Sequence, residues 1–177
     1  AAARRWVDEL RDALIEEEGE ARGIQLDKRW GDRFPATYRD TTPARAAVAD
    51  VRKCESLSDA NPFALSLYRP LGASGTLGFK IYRRGAPVVL SDSLPMLEHM
   101  GARVLSELPY RVGADDAEQV WIHDFTLSAQ LADDAEIETV ARLFEDSFAQ
   151  VFAGRIESDD FNRLVLLAGL AADQIVV

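Results

Sequence analysis

The sequence predicts an α+β domain, in which a four-stranded, mostly antiparallel sheet carries helices on one face and helical segments flank it at both ends. Short segments of alternating apolar and polar residues are typical of half-buried strands. Longer segments with apolar residues at every third or fourth position are typical of amphipathic helices. Both patterns occur within 177 residues, of which 47% are hydrophobic, so the chain has enough apolar surface for a sizeable core.

The chain is expected to have three parts. Residues 1–60 form a predicted helical lead-in, residues 61–130 the α+β module, and residues 131–177 the C-terminal helices. The turn-forming stretch 58–62 marks the boundary between the first two parts. Because no methionine begins the chain and an apolar stretch lies near its end, we interpret it as a piece of a longer protein.

The lead-in is predicted to begin with an amphipathic helix over residues 4–21. Gly19 and Gly23 are expected to weaken this helix and end it. Residues 24–38 should form short helical turns. The aromatic residues of that stretch recur at four-residue spacing and are expected to be core anchors, namely Trp30, Phe34 and Tyr38.

A second helix of the lead-in is expected to start at Thr42 and Pro43 and to run to about Leu57. Threonine suits the N-cap, and proline suits the first helical position, where its missing N–H is tolerated. The three consecutive glutamates at 16–18 point in different directions around the first helix. They therefore indicate a solvated face rather than a metal site.

Four strands are predicted for the α+β module, with a helix between the second and the third. The first two strands should form a hairpin. Pro109 lies within the third strand and indicates an edge or a bulge, because proline cannot donate to the ladder. The strands span residues 63–68, 77–82, 104–112 and 120–127.

The helix of the module is expected to start with Ser91 or Asp92 as its cap and to end at Gly101. A strong amphipathic helix over 134–153 should pack on the same face of the sheet, because both helices present apolar stripes to one core. A last helix begins near residue 161. In the helix of the α+β module, the residues that should face the sheet are Leu94, Leu97 and Met100.

Composition excludes several classes of partner. The net charge of −10 and the pI of about 4.7 disfavour nucleic acid and anionic membrane, which are both polyanions. No apolar run approaches the roughly 18 residues that a membrane span needs. The single cysteine, Cys54, cannot form an internal disulfide and fits a reducing, cytoplasmic location.

The sequence contains no recognisable catalytic motif, and no catalytic, cofactor-binding or metal-binding residue is predicted. His123 and Asp124 are adjacent on a strand and therefore point to opposite sides of the sheet, so they do not form an acid–base pair. His99 lies on a helix with no converging ligand in sequence. A small hydrolase that uses His123 remains an alternative.

One turn could bind a small anion. Arg84 and Gly85 lie at the end of the second strand, and Ser91 and Asp92 lie at the start of the next helix. Arginine side chains and helix N-termini both suit carboxylates. These four residues are the candidate effector site, and the alternative interpretation is a charged hairpin end followed by an ordinary helix cap.

Several segments, in the same order, resemble the large NAD-specific glutamate dehydrogenases of bacteria. The resemblance is spread over most of the chain and includes the short segment Leu65–Arg69. The longer segments that carry it are Leu77–Tyr82 (LGFKIY), Leu90–Gly101 (LSDSLPMLEHMG), Trp121–Phe125 (WIHDF) and Asp160–Leu170 (DFNRLVLLAGL).

The resemblance implies the third ACT-like module, with flanking helices, of the long N-terminal regulatory half of such an enzyme. Members of the family oxidatively deaminate L-glutamate to 2-oxoglutarate with NAD. Their catalytic lysines and dinucleotide fingerprint belong to a part that is absent here, so no family catalytic residue is carried over. The expected strand order also departs from the plain βαββαβ repeat.

These observations lead to a non-catalytic regulatory or structural module of a large NAD-dependent glutamate dehydrogenase. The expected partners are the remaining domains of the same longer chain and further copies of it in a homo-oligomer. By the resemblance, an effector would be a small amino acid near the turn of residues 85–91. A pure assembly module without a ligand is the alternative.

Overall fold

A computed structural model describes residues 1–70, 75–113, 118–128 and 137–152. The predicted last helix, near residue 161, lies outside the described residues. A 3₁₀ turn at Ala44–Ala46 precedes α4. The helices and strands, in chain order, are α1 Ala2–Glu18, α2 Glu20–Trp30, α3 Ala36–Thr41, α4 Ala47–Ser56, β1 Phe63–Tyr68, β2 Thr76–Arg84, α5 Leu90–His99, β3 Arg103–Val112, β4 Val120–Ser128 and α6 Ile137–Phe152.

The strands form one four-stranded antiparallel sheet in the order β1-β2-β4-β3. Because β4 lies between β2 and β3 and is antiparallel to both, β2-α5-β3 is a split βαβ unit. The α+β prediction is confirmed. Pro109 lies in β3, which is an edge strand, so the inference drawn from that proline is confirmed as well.

The chain divides into two compact units, and all four strands contribute residues to both. The first unit comprises Ala1–Ala64, Tyr82–Pro87 and Pro109–Ile122. The second comprises Leu65–Ile81, Val88–Leu108 and His123–Val177.

Helices α1 and α2 of the first unit pack closely. The chain turns between them at Gly19, whose φ of 86° favours glycine. The prediction that Gly23 ends a helix is wrong, because Gly23 lies within α2, where α2 contacts α1. A Cβ atom there would lie 2.5 Å from the Ile15 Cα atom, so the missing side chain allows the close approach. Residues 24–30 accordingly continue a regular helix instead of forming short turns.

The predicted aromatic anchors are confirmed in the core of the first unit. Trp30, Phe34 and Tyr38 are each at most 1% exposed. Thr42, however, is not an N-cap. It ends α3 with an extended backbone, and its carbonyl accepts a hydrogen bond from the Trp6 indole at 2.8 Å. This hydrogen bond connects α1 to the end of α3. Helix α4 begins without a side-chain cap.

The glutamates at 16–18 form ion pairs with the segment that carries the 3₁₀ turn and α4. Glu16 pairs with Arg45 at 2.7 Å, and Glu17 pairs with Arg52 at 3.1 Å. Glu18 also pairs with Arg52. These carboxylates therefore hold helices together at the surface of the first unit.

The core of the second unit lies between the sheet and two helices. The Phe79 ring meets the rings of Phe144 and Phe148 from α6 at centroid distances of 5.1 and 5.0 Å. Helix α5 contacts α6, so both helices cover one face of the sheet, as predicted. Of the three residues predicted to face the sheet, Leu97 of α5 and Met100 just after it are buried, and Leu94 is partly buried.

Helix α5 ends where the sequence predicted. Gly101 has a φ of 85°. Its N–H donates to the Glu98 carbonyl, and the Ala102 N–H donates to the Leu97 carbonyl, both at 3.0 Å. This pair of bonds is a Schellman motif, which glycine favours because it adopts the left-handed conformation without strain.

Candidate functional site

The turn after β2 is fixed by its backbone. Gly85 has a φ of 83°. Its N–H donates to the Gln119 carbonyl at 2.9 Å, and the Gln119 amide donates back to the Gly85 carbonyl at 3.1 Å. The chain therefore leaves β2 in a defined direction, at a position where a side chain would be strained.

Arg84 faces the turn that follows α4. Its backbone N–H donates to the Pro62 carbonyl at 3.0 Å, and its guanidinium pairs with the Asp59 carboxylate at 3.0 Å. The Asp59 side chain is fully exposed, whereas that of Arg84 is 28% exposed. The Arg84 guanidinium is thus held in place at an open surface.

The ion pair borders a hollow of about 280 Å³, lined by Ser58, Asp59, Pro62, Arg84 and Gly85. An arginine suits a carboxylate and an aspartate suits an ammonium group. Chemically, the hollow could therefore take a small zwitterion, provided that the Arg84–Asp59 pair opens.

Ser91 and Asp92 lie in the second unit, in the exposed first turn of α5. The cap prediction for them is wrong, because Val89 occupies the N-cap position and no side chain caps the helix. Asp92 still places a negative charge at the positive end of the helix dipole. Of the four predicted residues, Arg84 and Gly85 lie together in the first unit. The sequence did not predict Asp59, which pairs with Arg84 there.

Nothing in the sequence around Asp59 predicted its pairing with Arg84. It lies 25 residues from Arg84, within a turn whose composition indicates only a loop. The contact arises because the Pro62 carbonyl pairs with the Arg84 backbone, which brings the turn beside the end of β2.

His123 is buried and both of its ring nitrogens are engaged. Nε2 lies 2.9 Å from the Val88 backbone nitrogen, and Nδ1 lies 2.9 Å from a Glu107 carboxylate oxygen. Since the Val88 N–H can only donate, Nε2 accepts and the ring proton lies on Nδ1. Asp124 accepts a hydrogen bond from the Tyr68 hydroxyl at 2.6 Å.

A buried polar network lies in the first unit. Asp50 is 2% exposed and accepts hydrogen bonds from the hydroxyls of Tyr38 and Tyr82. Burial, together with the neighbouring Asp50 charge, raises the pKa of both tyrosines well above the usual range. Tyr82 lies two residues before Arg84, so the network anchors the strand end that carries the guanidinium.

The described ranges hold neither a candidate metal centre nor a candidate membrane span. They contain no cluster of three or more histidine, cysteine or acidic side chains that could hold a metal ion. No helix in them has both the length and the apolar character needed to cross a membrane.

The split βαβ sheet, the preceding helices and the charged turn after β2 define an ACT-like α+β module with a helical lead-in. Two family models match this chain. Residues 62–140 match the ACT3 domain of glutamate dehydrogenase, and residues 13–57 match helical motif 2 of glutamate dehydrogenase. The chain belongs to the family of large NAD-specific glutamate dehydrogenases.

Curated relatives carry the name NAD-specific glutamate dehydrogenase. The protein of Halomonas elongata is 42% identical over 95% of this chain, and that of Pseudomonas aeruginosa is 38% identical over 96%. The protein of Mycobacterium tuberculosis is 30% identical over 99% of this chain. The chain spans about one tenth of the length of each relative, 10% of the first two and 11% of the third.

Proposed function

We propose that this chain is a non-catalytic regulatory or structural segment of a large NAD-dependent glutamate dehydrogenase. The longer enzyme would oxidatively deaminate L-glutamate to 2-oxoglutarate, with NAD bound outside this segment. The observation that carries the proposal is the match of a helical motif and an ACT domain, in that order, to one short part of much longer relatives.

The proposal extends to partners and location. The segment would contact the remaining domains of its own chain, and the enzyme would be a cytoplasmic homo-oligomer. We also retain the division into a lead-in (1–60), an ACT-like module (61–130) and C-terminal helices (131–177). The two matched ranges, 13–57 and 62–140, support a boundary between residues 57 and 62.

As a regulatory segment, it would bind a small amino acid at the hollow beside Arg84. The ligand carboxylate would replace Asp59 on the Arg84 guanidinium, and the ligand ammonium would meet the released Asp59 carboxylate. Both charges of the ligand would then be paired, and the backbone turn at Gly85 would leave room beside them. Ser91 and Asp92 stay in the proposal as residues that respond to the same effector.

The test is Arg84→Ala in the longer enzyme, assayed for activation or inhibition by each amino acid. We expect the half-effective concentration of the effector to rise about tenfold or more, because a charge-assisted pair is lost. Glutamate turnover without effector should not change. Arg45→Ala is the matched control, since it also removes an arginine–carboxylate pair, with Glu16, from the surface.

An unchanged effector response in Arg84→Ala would remove this hollow from consideration. An equal change in the Arg45→Ala control would show that the effect comes from general loss of surface charge. Asp92→Ala, assayed in the same way, tests whether the α5 N-terminus takes part.

The alternative of a small hydrolase that uses His123 is disfavoured. A general base needs an imidazole nitrogen that can take a proton from the reacting group. Nε2 of His123 already accepts the Val88 N–H, and the ring is 3% exposed. The hydrogen-bonding pattern instead suits a side chain that fixes the start of α5 and the neighbouring strands.

A further inference from the structure

A buried histidine joins three elements of the second unit. His123 lies on β4 and is buried. Its Nε2 atom lies 2.9 Å from the backbone nitrogen of Val88, the residue directly before the N-cap of α5. Its Nδ1 atom lies 2.9 Å from a carboxylate oxygen of Glu107 on β3. One imidazole therefore connects β3, β4 and the segment that enters α5.

The contact with Val88 requires a neutral ring. A backbone N–H can only donate, so Nε2 of His123 must carry no proton in order to accept it. When the ring takes up a proton, both nitrogens become donors, and the Nε2–H then faces the Val88 N–H. Two donors do not bond each other, so this hydrogen bond is lost on protonation. The bond to Glu107 is kept, because Nδ1 donates in both forms of the ring.

Glu107 stabilises the protonated form of the ring. Its side chain is 15% exposed and His123 is buried, so little water screens the carboxylate from the imidazole. A negative charge at hydrogen-bond distance favours an imidazolium and offsets the cost of burying it. The site therefore has two alternative states. The neutral ring bonds to Val88 and Glu107, whereas the charged ring bonds to Glu107 and releases Val88.

The other charged groups of the surrounding elements are engaged elsewhere or lie at the surface. Glu145 of α6 accepts the Leu67 N–H, and Asp124 of β4 accepts the Tyr68 hydroxyl. Lys80 of β2 lies over the Tyr68 ring. The remaining charged side chains of the described helices of this unit and of β3 up to Leu108 are exposed, namely Asp92, Glu98 and His99 on α5, Arg103 on β3, and Glu138, Arg142 and Asp146 on α6. Of the described charged groups, Glu107 is the one at hydrogen-bond distance from the ring.

We propose that His123 is a pH-dependent latch on the start of α5, closed when the ring is neutral and open when it is protonated. Imidazole is the side chain that ordinarily gains its proton between about pH 8 and pH 5, so the latch opens as the pH falls through that range. The residues next to Val88 carry exposed apolar side chains, with Val89 55% and Leu90 38% exposed. A fall in pH therefore frees an apolar surface at the start of α5 to move. The latch requires no effector, so it stands apart from the proposed function.

The test is nuclear magnetic resonance of the 177-residue chain between about pH 8 and pH 5. The chain has two histidines, so the exposed His99 is an internal control for the buried His123. We expect the neutral His123 ring to carry its proton on Nδ1. The exchange protection of the Val88 N–H should fall about tenfold or more, with the same midpoint as the titration of the His123 ring. Amides in the centre of β4 should keep their protection.

Three results would overturn the latch. The His123 ring could stay neutral down to about pH 5, or it could titrate without any loss of protection at Val88. Protection could also fall equally at Val88 and along β4, which would mean that the whole sheet opens rather than the start of α5.

Two variants separate the latch from a histidine that only supports the fold. Glu107→Gln keeps an oxygen for the Nδ1–H but removes the charge, so the midpoint of the His123 titration should move about one pH unit lower. In His123→Gln the side-chain oxygen can accept the Val88 N–H at every pH, so protection at Val88 should no longer depend on pH. An unchanged midpoint in Glu107→Gln, or protection at Val88 that still falls with pH in His123→Gln, contradicts the assignment.

Discussion

At the level of single residues, the buried carboxylate of Asp50 is the feature that the sequence indicated least. Asp50 lies among the buried residues of α4, between Ala47 and Cys54. A charged side chain is unexpected there, because burial removes it from water. Its partners, Tyr38 and Tyr82, are 12 and 32 residues away and belong to a helix and a strand. Local patterns could predict that Tyr38 is buried, but not which carboxylate receives its hydroxyl.

The network predicts that stability falls at alkaline pH. A tyrosine pKa raised in the folded state favours the protonated form there, so stability is complete below the ordinary pKa of 10.0 and declines above it. The Tyr38→Phe variant should be less stable than the wild type at pH 7. Its free energy of unfolding should fall less as the pH rises, because only one of the two tyrosine hydroxyls, that of Tyr82, is left to titrate. Urea unfolding from pH 7 to about 11 measures both slopes.

The stability gap between the wild type and Tyr38→Phe should therefore narrow as the pH rises above about 10. A gap that stays constant over that range would contradict the assignment of Tyr38 as a buried, carboxylate-bound phenol. The comparison between the two proteins cancels the titration of groups that they share.

At the level of helices and strands, the sequence predicted the sheet better than the lead-in. Alternation placed all four strands to within one or two residues, since a strand that is buried on one face repeats every two residues. The errors concern Gly23 and Thr42. Glycine often ends a helix, but Gly23 lies inside α2, where it allows close contact with Ile15. Threonine often begins a helix, but the Thr42 carbonyl accepts a hydrogen bond from the Trp6 indole.

Glu145 supports a prediction about the β1 edge of the sheet, where its carboxylate accepts a hydrogen bond from the Leu67 N–H at 2.7 Å. Glu145→Ala leaves the Leu67 N–H without its carboxylate, which should lower the free energy of unfolding by about 1 kcal/mol. It should also open the edge to strand addition, so that larger assemblies than those of the wild type form as concentration rises. Analytical ultracentrifugation and urea unfolding measure the two effects.

Glu145→Gln is the control for this prediction, because its side-chain oxygen can still accept the Leu67 N–H. It should resemble the wild type in both measurements. If Glu145→Ala stays at the wild-type mass at every concentration, the carboxylate does not block that edge.

At the level of the whole molecule, the family was predictable and the candidate site only partly so. Segments of matching sequence pointed to the large glutamate dehydrogenases, and the family matches agree. For the site, the sequence indicated Arg84 and Gly85 through their position after a strand. It could not indicate Asp59, because that pairing depends on where the turn after α4 lies in the folded first unit.

The most direct measurement is a calorimetric titration of the 177-residue chain with NAD, with the longer enzyme as the positive control. A segment outside the dinucleotide-binding part should give no saturable heat up to roughly millimolar NAD, while the longer enzyme binds. The chain should also reduce no NAD when glutamate is added. Saturable binding of NAD to the chain with a micromolar Kd would contradict a non-catalytic segment.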